Sequence, residues 1–417
     1  MAINSKYARW FGAAAIAAAA FSASNVAAED LTLWTLNFDN GAANGALKKV
    51  AKDFEAANPG THVEIVQRGV DEHKTALRVA AGSSKGPDIY FSWAGLGLGG
   101  EYVKAGLSLP LDKYYTEYKW NDELLPSAAA FADLYPGGKH GVPFTFKGEA
   151  IYYNKKLFQK AGITQEPKTY EELLAAADKL KAAGIPAFTF GGSVNWHVMR
   201  LMDVLLETKC GADKHDALMA MKTDWTKEPC ATDAFAEFAK WTKDYTLKRF
   251  MGISNQQSYT LYVAGRAAMM LEGDWLVSQL SGSKVNLDDY GVIPFPTNTN
   301  RLYGFAEYNY VSTKSKNPDL AAKFLDYFLS TKVQQDLVGQ ISSISVNKNV
   351  QYKDQKPLEA KWLEIFKTYS KVYMNGDQAF PLDVTTEYFR VINDVASGNI
   401  QPADAAKQLQ TFISGRT

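Results

Sequence analysis

The sequence predicts a two-lobed α/β protein, and three observations carry that prediction. Strand-like and helix-like segments alternate with short links near the N-terminus. A second such region begins near Glu149, and no linker-like stretch separates the two. A β-α-β-α-β order with short links makes a parallel sheet covered by helices. At 417 residues the chain exceeds what one core ordinarily serves, so two lobes are expected. The missing linker implies that the chain crosses between the lobes more than once.

The elements follow in order. Leu31 to Leu36 alternates and is the first strand, followed by a polar turn from Asn37 to Gly45. Leu47, Val50, Ala51 and Phe54 make one face of a helix over Ala46 to Ala57, which Asn58-Pro59-Gly60 ends. Val63 to Gln67 is a strand, Lys74 to Ala81 a helix, and Asp88 to Trp93 a third strand. In the second region Glu149 to Tyr153 is a strand. Thr169 and Glu172 form a capping box before Leu173, Leu174, Ala177 and Leu180, with Gly184 and Pro186 just past the helix. Ala187 to Phe190, Ala267 to Leu271 and Tyr290 to Phe295 are further strands, and Trp196 to Arg249 is mostly helical. Tyr303 to Val311 is extended. Asn317 then caps a helix with Pro318 at its first position, and the C-terminal third is helical.

Composition excludes several function classes. Lys plus Arg and Asp plus Glu both number 45, so no electrostatic footprint for nucleic acid is present. Apolar residues are 46% of the chain, too many for a disordered one. Lys6 and Arg9, the apolar run Trp10 to Phe21 and the small residues Val26-Ala27-Ala28 make a secretory signal over residues 1–28, cleaved after Ala28. The run is too short for a membrane anchor, and no Cys stands at the cleavage point to take a lipid. A periplasmic, unanchored protein is expected. Cys210 and Cys230, the two cysteines, then form a disulfide in an oxidising space.

Some motifs tempt and fail. Gly95, Gly97 and Gly100 spell the dinucleotide fingerprint, but after the third strand rather than the first, so a glycine turn in close backbone contact is favoured. Gly82, Ser84 and Gly86 spell a hydrolase elbow in reversed context, helix before strand. His62, His73, His140, His197 and His215 show no metal-ligand spacing, and no nucleotide-binding P-loop is present. Neither a cofactor nor a metal is expected. The informative pattern is aromatic. Trp34, Phe38, Trp93, Phe146, Trp196, Trp275 and Tyr308 fall in or beside turns after strands, next to Asn37, Asp39, Ser92, Lys147, His197, Asp274 and Glu307. Open α/β sheets bind ligands outside the carboxyl ends of their strands. Aromatic faces suit the C–H faces of a sugar, and polar side chains suit its hydroxyls.

At these residues the chain resembles a known family. Gly86-Pro87-Asp88, then Gly106-Leu107 and Leu109-Pro110-Leu111-Asp112, follow its order of motifs. So do Gly141-Val142-Pro143, Tyr152 to Phe158, Pro167 to Leu173, Gly265 to Met269 with Gly273-Asp274-Trp275, and Ser312 to Gln335. This sequence is similar to the extracellular solute-binding proteins of carbohydrate ABC importers, the group containing maltose-binding protein. The resemblance implies a class II periplasmic-binding-protein fold. Each lobe would be a mainly parallel sheet flanked by helices, with a sugar held between them and crossings near Phe144–Lys147, Arg301–Gly304 and Val346–Val350. It implies an N-terminal lobe of residues 29–145 and 303–347 and a C-terminal lobe of 146–302 and 348–417. The expected ligand-binding residues are Asn37, Phe38, Asp39, Ser92, Trp93, Lys147, Trp196, His197, Asp274, Trp275, Gly304, Glu307 and Tyr308. Where the family usually carries a Gly-Gly pair, this chain has Gly304-Phe305. A monomeric, non-enzymatic receptor is implied, with a carbohydrate ligand and an ABC importer permease as partners. Two other readings remain open: the same receptor for an anionic solute such as a glycerol phosphate, met by Lys147 and His197, and an exported glycoside hydrolase.

Overall fold

A computed structural model describes residues 29–38, 41–369 and 371–416. The expected signal segment over residues 1–28, and Asp39, lie outside the described residues. Among these, eight strands join one continuous sheet: β1 (Glu29–Leu36), β2 (Thr61–Arg68), β3 (Ile89–Trp93), β4 (Val142–Asn154), β5 (Met269–Gly273), β6 (Tyr290–Ile293), β7 (Leu302–Val311) and β8 (Val372–Tyr373). Their order is β2-β1-β3-β7-β4-β5, with β6 also on β4 and β8 on β7.

β1 runs parallel to β2 and β3, whereas β7 returns antiparallel beside β3. β5 and β6 both run antiparallel to β4, and so parallel to one another. The expected parallel sheet is therefore present in the first half, as β2-β1-β3 with β7 as its return strand; in the second, β4 lies between β5 and β6, antiparallel to both, and Phe188 bridges in parallel to Met269. The two antiparallel strands, β7 and β4, are the connections themselves. β4 and β7 pair with each other from Val142 to Glu149 and are buried along their whole lengths.

Among the described residues two apolar cores sit at opposite ends of these strands, and a smaller third gathers Ala150 and Tyr152 of β4, Met270 of β5 and Val292 of β6 with Trp362. Phe144 and Phe146 of β4, with Ala306 and Tyr308 of β7, enter one core with β1 to β3 and the helix Pro318–Leu329. Ile151 and Tyr153 of β4, with Tyr303 of β7, enter the other. The strand expected over Glu149 to Tyr153 begins already at Val142. Pro143 hides that start, because a proline argues against a central strand, and the register shifts between Pro143 and Thr145 to accommodate it. The strand expected at Ala187 to Phe190 reduces to bridges from Phe188 to Thr246 and Met269.

Local chemistry fixes the helix ends. The Thr169 hydroxyl accepts from the Glu172 amide at 3.2 Å, but the Glu172 carboxylate returns to the Lys168 amide at 2.7 Å rather than to that of Thr169. The Asn317 side chain accepts from the Leu320 amide at 3.1 Å. The helix Asn195–Met219 is interrupted at Gly211, where φ is 71°. That break follows Cys210, which is bonded to Cys230 in the first turn of the helix Pro229–Lys240. The bridge closes a loop of sequence separation 20. Cys230→Ser should therefore lose about 3 kcal/mol in urea unfolding. An unchanged midpoint and slope would contradict that expectation.

Candidate functional site

A cavity of about 300 Å³ lies between the two cores. Its walls come from strand ends and crossings, where open α/β sheets place ligands. Asn37 and Phe38 follow β1, Trp93 ends β3, and Asp274 and Trp275 follow β5. Lys147 and Glu307 enter from β4 and β7, and Trp196 from the start of the helix Asn195–Met219. These eight expected residues border one space.

Four others do not border it. Ser92 and Tyr308 are each one residue from a lining position, and strand alternation turns them to the opposite face. The Tyr308 hydroxyl donates to the Ala129 carbonyl at 3.1 Å, inside the first core. His197 is fully buried behind Trp196. Its Nδ1 accepts from the Gly191 amide at 2.9 Å, and burial, with Arg200 nearby, holds its pKa well below the ordinary histidine value. Gly304 packs its backbone on β4, where a Cβ would come within 2.5 Å of the Lys147 carbonyl oxygen.

Residues outside the expected set complete the walls. Phe305 borders the cavity with its ring 5.8 Å from that of Trp275. Arg200 is the chief addition. It stands one helical turn after Trp196, so both share a face; that spacing is the signal that could have identified it. Its Nε lies 2.5 Å from Glu149 and its Nη1 2.7 Å from Glu272. Its guanidinium lies 4.6 Å from the centre of the Trp196 ring and 5.2 Å from that of Trp275. A planar fork can serve two carboxylates and two rings at once, which an ammonium cannot. Asn375, Asp377 and Gln378 also line the space, and no local pattern marks them.

The electrostatics favour hydrogen-bond donors from a guest. Burial pushes the Glu149 carboxyl up to about 7, with Arg200 opposing the rise. Burial likewise raises Glu307, against Lys147, and Asp377, against Lys74 and Arg200. The Lys147 ammonium donates to the Ile341 carbonyl at 2.8 Å and stands 4.0 Å from the Asp274 carboxylate. The Asn375 Nδ2 donates to Glu149 at 2.7 Å, which turns its Oδ1 away from that carboxylate. That Oδ1, Asp274 Oδ1, Asn255 Oδ1 and Gln378 Oε1 are buried on lining residues and accept no hydrogen bond. Leaving such groups unsatisfied costs about 1–3 kcal/mol each.

Among the described residues, no cluster of three or more His, Cys, Asp or Glu is placed to hold a metal ion. No helix among them is long and apolar enough to cross a membrane.

Comparison with known proteins places this arrangement. The model of the bacterial extracellular solute-binding protein family matches residues 39–335. An uncharacterized ABC transporter extracellular-binding protein of Pyrococcus horikoshii is 24% identical over 384 residues, covering 90% of this chain and 84% of its own. The maltotriose-binding protein of Pyrococcus abyssi is 27% identical over 298 residues, covering 67% of this chain and 58% of its own. Among solved structures, a chitin oligosaccharide binding protein superposes with a TM-score of 0.82 at 24% identity, over 92% of this chain and 97% of that one. The two cores, the paired crossing strands and the cavity between them thus have a family: the chain belongs to the bacterial extracellular solute-binding proteins.

Proposed function

We propose that this chain is the sugar receptor of an ABC importer, capturing a mono- or oligosaccharide in the cavity between its lobes by hinge closure. The observation that carries the reading is the wall itself: Trp93, Trp196, Trp275 and Phe305 beside buried oxygens that lack donors. A polyol offers C–H faces to the rings and hydroxyl donors to the oxygens. The relatives named for maltotriose and chitin oligosaccharide support the ligand class. The separation of the two cores supports the expected lobes, residues 29–145 with 303–347 and 146–302 with 348–417, save at their edges, where Phe146 enters the first core and Tyr303 the second. The working protein is then a periplasmic monomer freed of residues 1–28, which presents both lobes to the permease. Loss of Lys6 and Arg9 leaves it two basic residues short of balance.

The anionic alternative finds less support. Its two candidate contacts were Lys147 and His197. The first already has the Ile341 carbonyl and Asp274, and the second is buried with its pKa held down. A phosphate brings acceptors to a wall that already has acceptors in excess. The hydrolase reading fits a family of binding proteins poorly, and Glu149 and Glu272 are both held by Arg200.

Calorimetric titration with a panel of mono- and oligosaccharides and with sn-glycerol 3-phosphate tests the reading. Saturable binding of at least one neutral sugar, and none of the phosphate, is expected. Binding of the phosphate alone would overturn it.

A further inference from the structure

The glycine turn after β3 touches the opposite lobe. Gly97 donates its amide to the Gln378 carbonyl at 3.3 Å. A Cβ on Gly97 would lie 2.2 Å from the Phe380 carbonyl oxygen, 2.3 Å from that of Asp377 and 3.2 Å from the Thr385 hydroxyl. A Cβ on Gly95 would lie 2.4 Å from the Gln378 carbonyl oxygen. The three nearest neighbours of each of these two positions lie on the segment 377–385. Gly99 is the opposite case, since its Cβ would meet Tyr310, Trp93 and Tyr135 of its own lobe.

Neither side of this seam can yield locally. The turn is held by the Tyr135 hydroxyl, which accepts from the Gly95 amide at 2.9 Å, and by the Gly100 amide on the Gly95 carbonyl at 2.8 Å. Across the seam, Asp203 accepts from the Gly376 amide at 2.9 Å, from the Tyr303 hydroxyl at 2.7 Å and from the Tyr388 hydroxyl at 2.8 Å. Phe380 is fully buried between Trp225 and Tyr388. Leu98 on one side, and Asp377 and Gln378 on the other, line the cavity, so the seam is one of its walls.

We propose that Gly97 is a positioning residue for ligand capture: its missing side chain lets the two lobes meet backbone to backbone, and that contact completes the wall around the guest. The proposal rests on the clamp reading above. A methyl group here meets rigid backbone, and the soft coordinate left to relieve it is the hinge, so the lobes stop short of closure.

The test compares Gly97→Ala with Gly99→Ala and with Gly282→Ala, whose Cβ has nothing within 4 Å. Three readouts are taken: the melting temperature of the free protein, the small-angle scattering radius with and without sugar, and calorimetric affinity for maltotriose and a chitin oligosaccharide. Gly97→Ala should melt like the unaltered protein, bind about ten- to hundredfold more weakly, and fail to contract on adding sugar. Gly99→Ala should instead lower the melting temperature, and Gly282→Ala should change neither. Unaltered affinity and contraction in Gly97→Ala would overturn the proposal, as would a melting loss matching that of Gly99→Ala. If neither sugar binds the unaltered protein, the sugar that the panel identifies takes their place; if no sugar of the panel binds, the ligand class fails separately. The free proteins in trimethylamine N-oxide, which favours the more compact state, then decide the seam: a larger radius for Gly97→Ala than for the unaltered protein supports it, and equal radii overturn it.

Discussion

Replacing Arg200 with Met should cost about 3–5 kcal/mol of folding stability, the largest single-site loss expected here. Arg200 is 4% exposed, and its guanidinium lies between Glu149 and Glu272, themselves buried. Met fills similar space but leaves two carboxylates without their cation. The loss should also depend on pH. In the intact protein, burial already raises Glu149 to about 7 against the pull of Arg200, so removing Arg200 raises it further. A carboxyl raised on folding favours the fold while both states are protonated. It loses that advantage as pH climbs from the ordinary glutamate range through the raised value. Through Glu149, the deficit of Arg200→Met should thus widen above about pH 7, where the parent's carboxyl ionises and the variant's does not, while Arg200→Lys falls between. Urea unfolding at several pH values measures this, and a variant within about 1 kcal/mol of the parent at pH 8 would refute the assignment.

Trp275→Ala should have the largest effect on ligand capture. A Cβ on Gly273 would fall 1.8 Å from the Trp275 ring, so the indole lies against a bare strand end. Phe305 and the Arg200 guanidinium hold its flanks. A rigid aromatic anchor of this kind carries about 2 kcal/mol or more, or roughly thirtyfold in affinity. The ring is only half-buried, so the fold should tolerate its loss. Titration with whichever sugar the panel identifies, alongside a melting curve, separates the two effects. Undiminished affinity would remove Trp275 from the site.

These two residues differ in how far the sequence exposes them. Trp275 follows an apolar strand and a glycine, beside Asp274, and local pattern suffices to place it at a strand end. Arg200 looks like one more charge on a long helix; its two carboxylate partners arrive from β4 and β5, far along the chain. Asn375, Asp377 and Gln378 are harder still, since their position depends on Asp203 and Glu149 capturing the segment from outside. Ser92 and Tyr308 fail for a finer reason. Each adjoins a residue that borders the cavity, Trp93 or Glu307, and period-two alternation decides which neighbour faces it. His197 fails despite its adjacency to Trp196, because its ring stacks 5.4 Å from that of Trp196 on the fully buried side. The fold was more legible: helix caps and β-α-β order are local, and only Pro143 obscured the early start of β4.

The crossing strands also set an order of assembly. β7 is a central member of the first sheet, between β3 and β4, yet it is made some two hundred residues after β3. Until Leu302–Val311 exists, the segment from β1 to β3 has an unpaired edge and an open core, and Ile344 and Val346 must still join that core. Pairings so distant in sequence carry a loop-closure cost before any contact rewards it. A growing chain therefore cannot complete either lobe early, and nearly the whole length must be present before the first lobe can close. The strands that let the finished clamp bend also keep the unfinished chain unfolded, which is the state in which a polypeptide can still be threaded elsewhere.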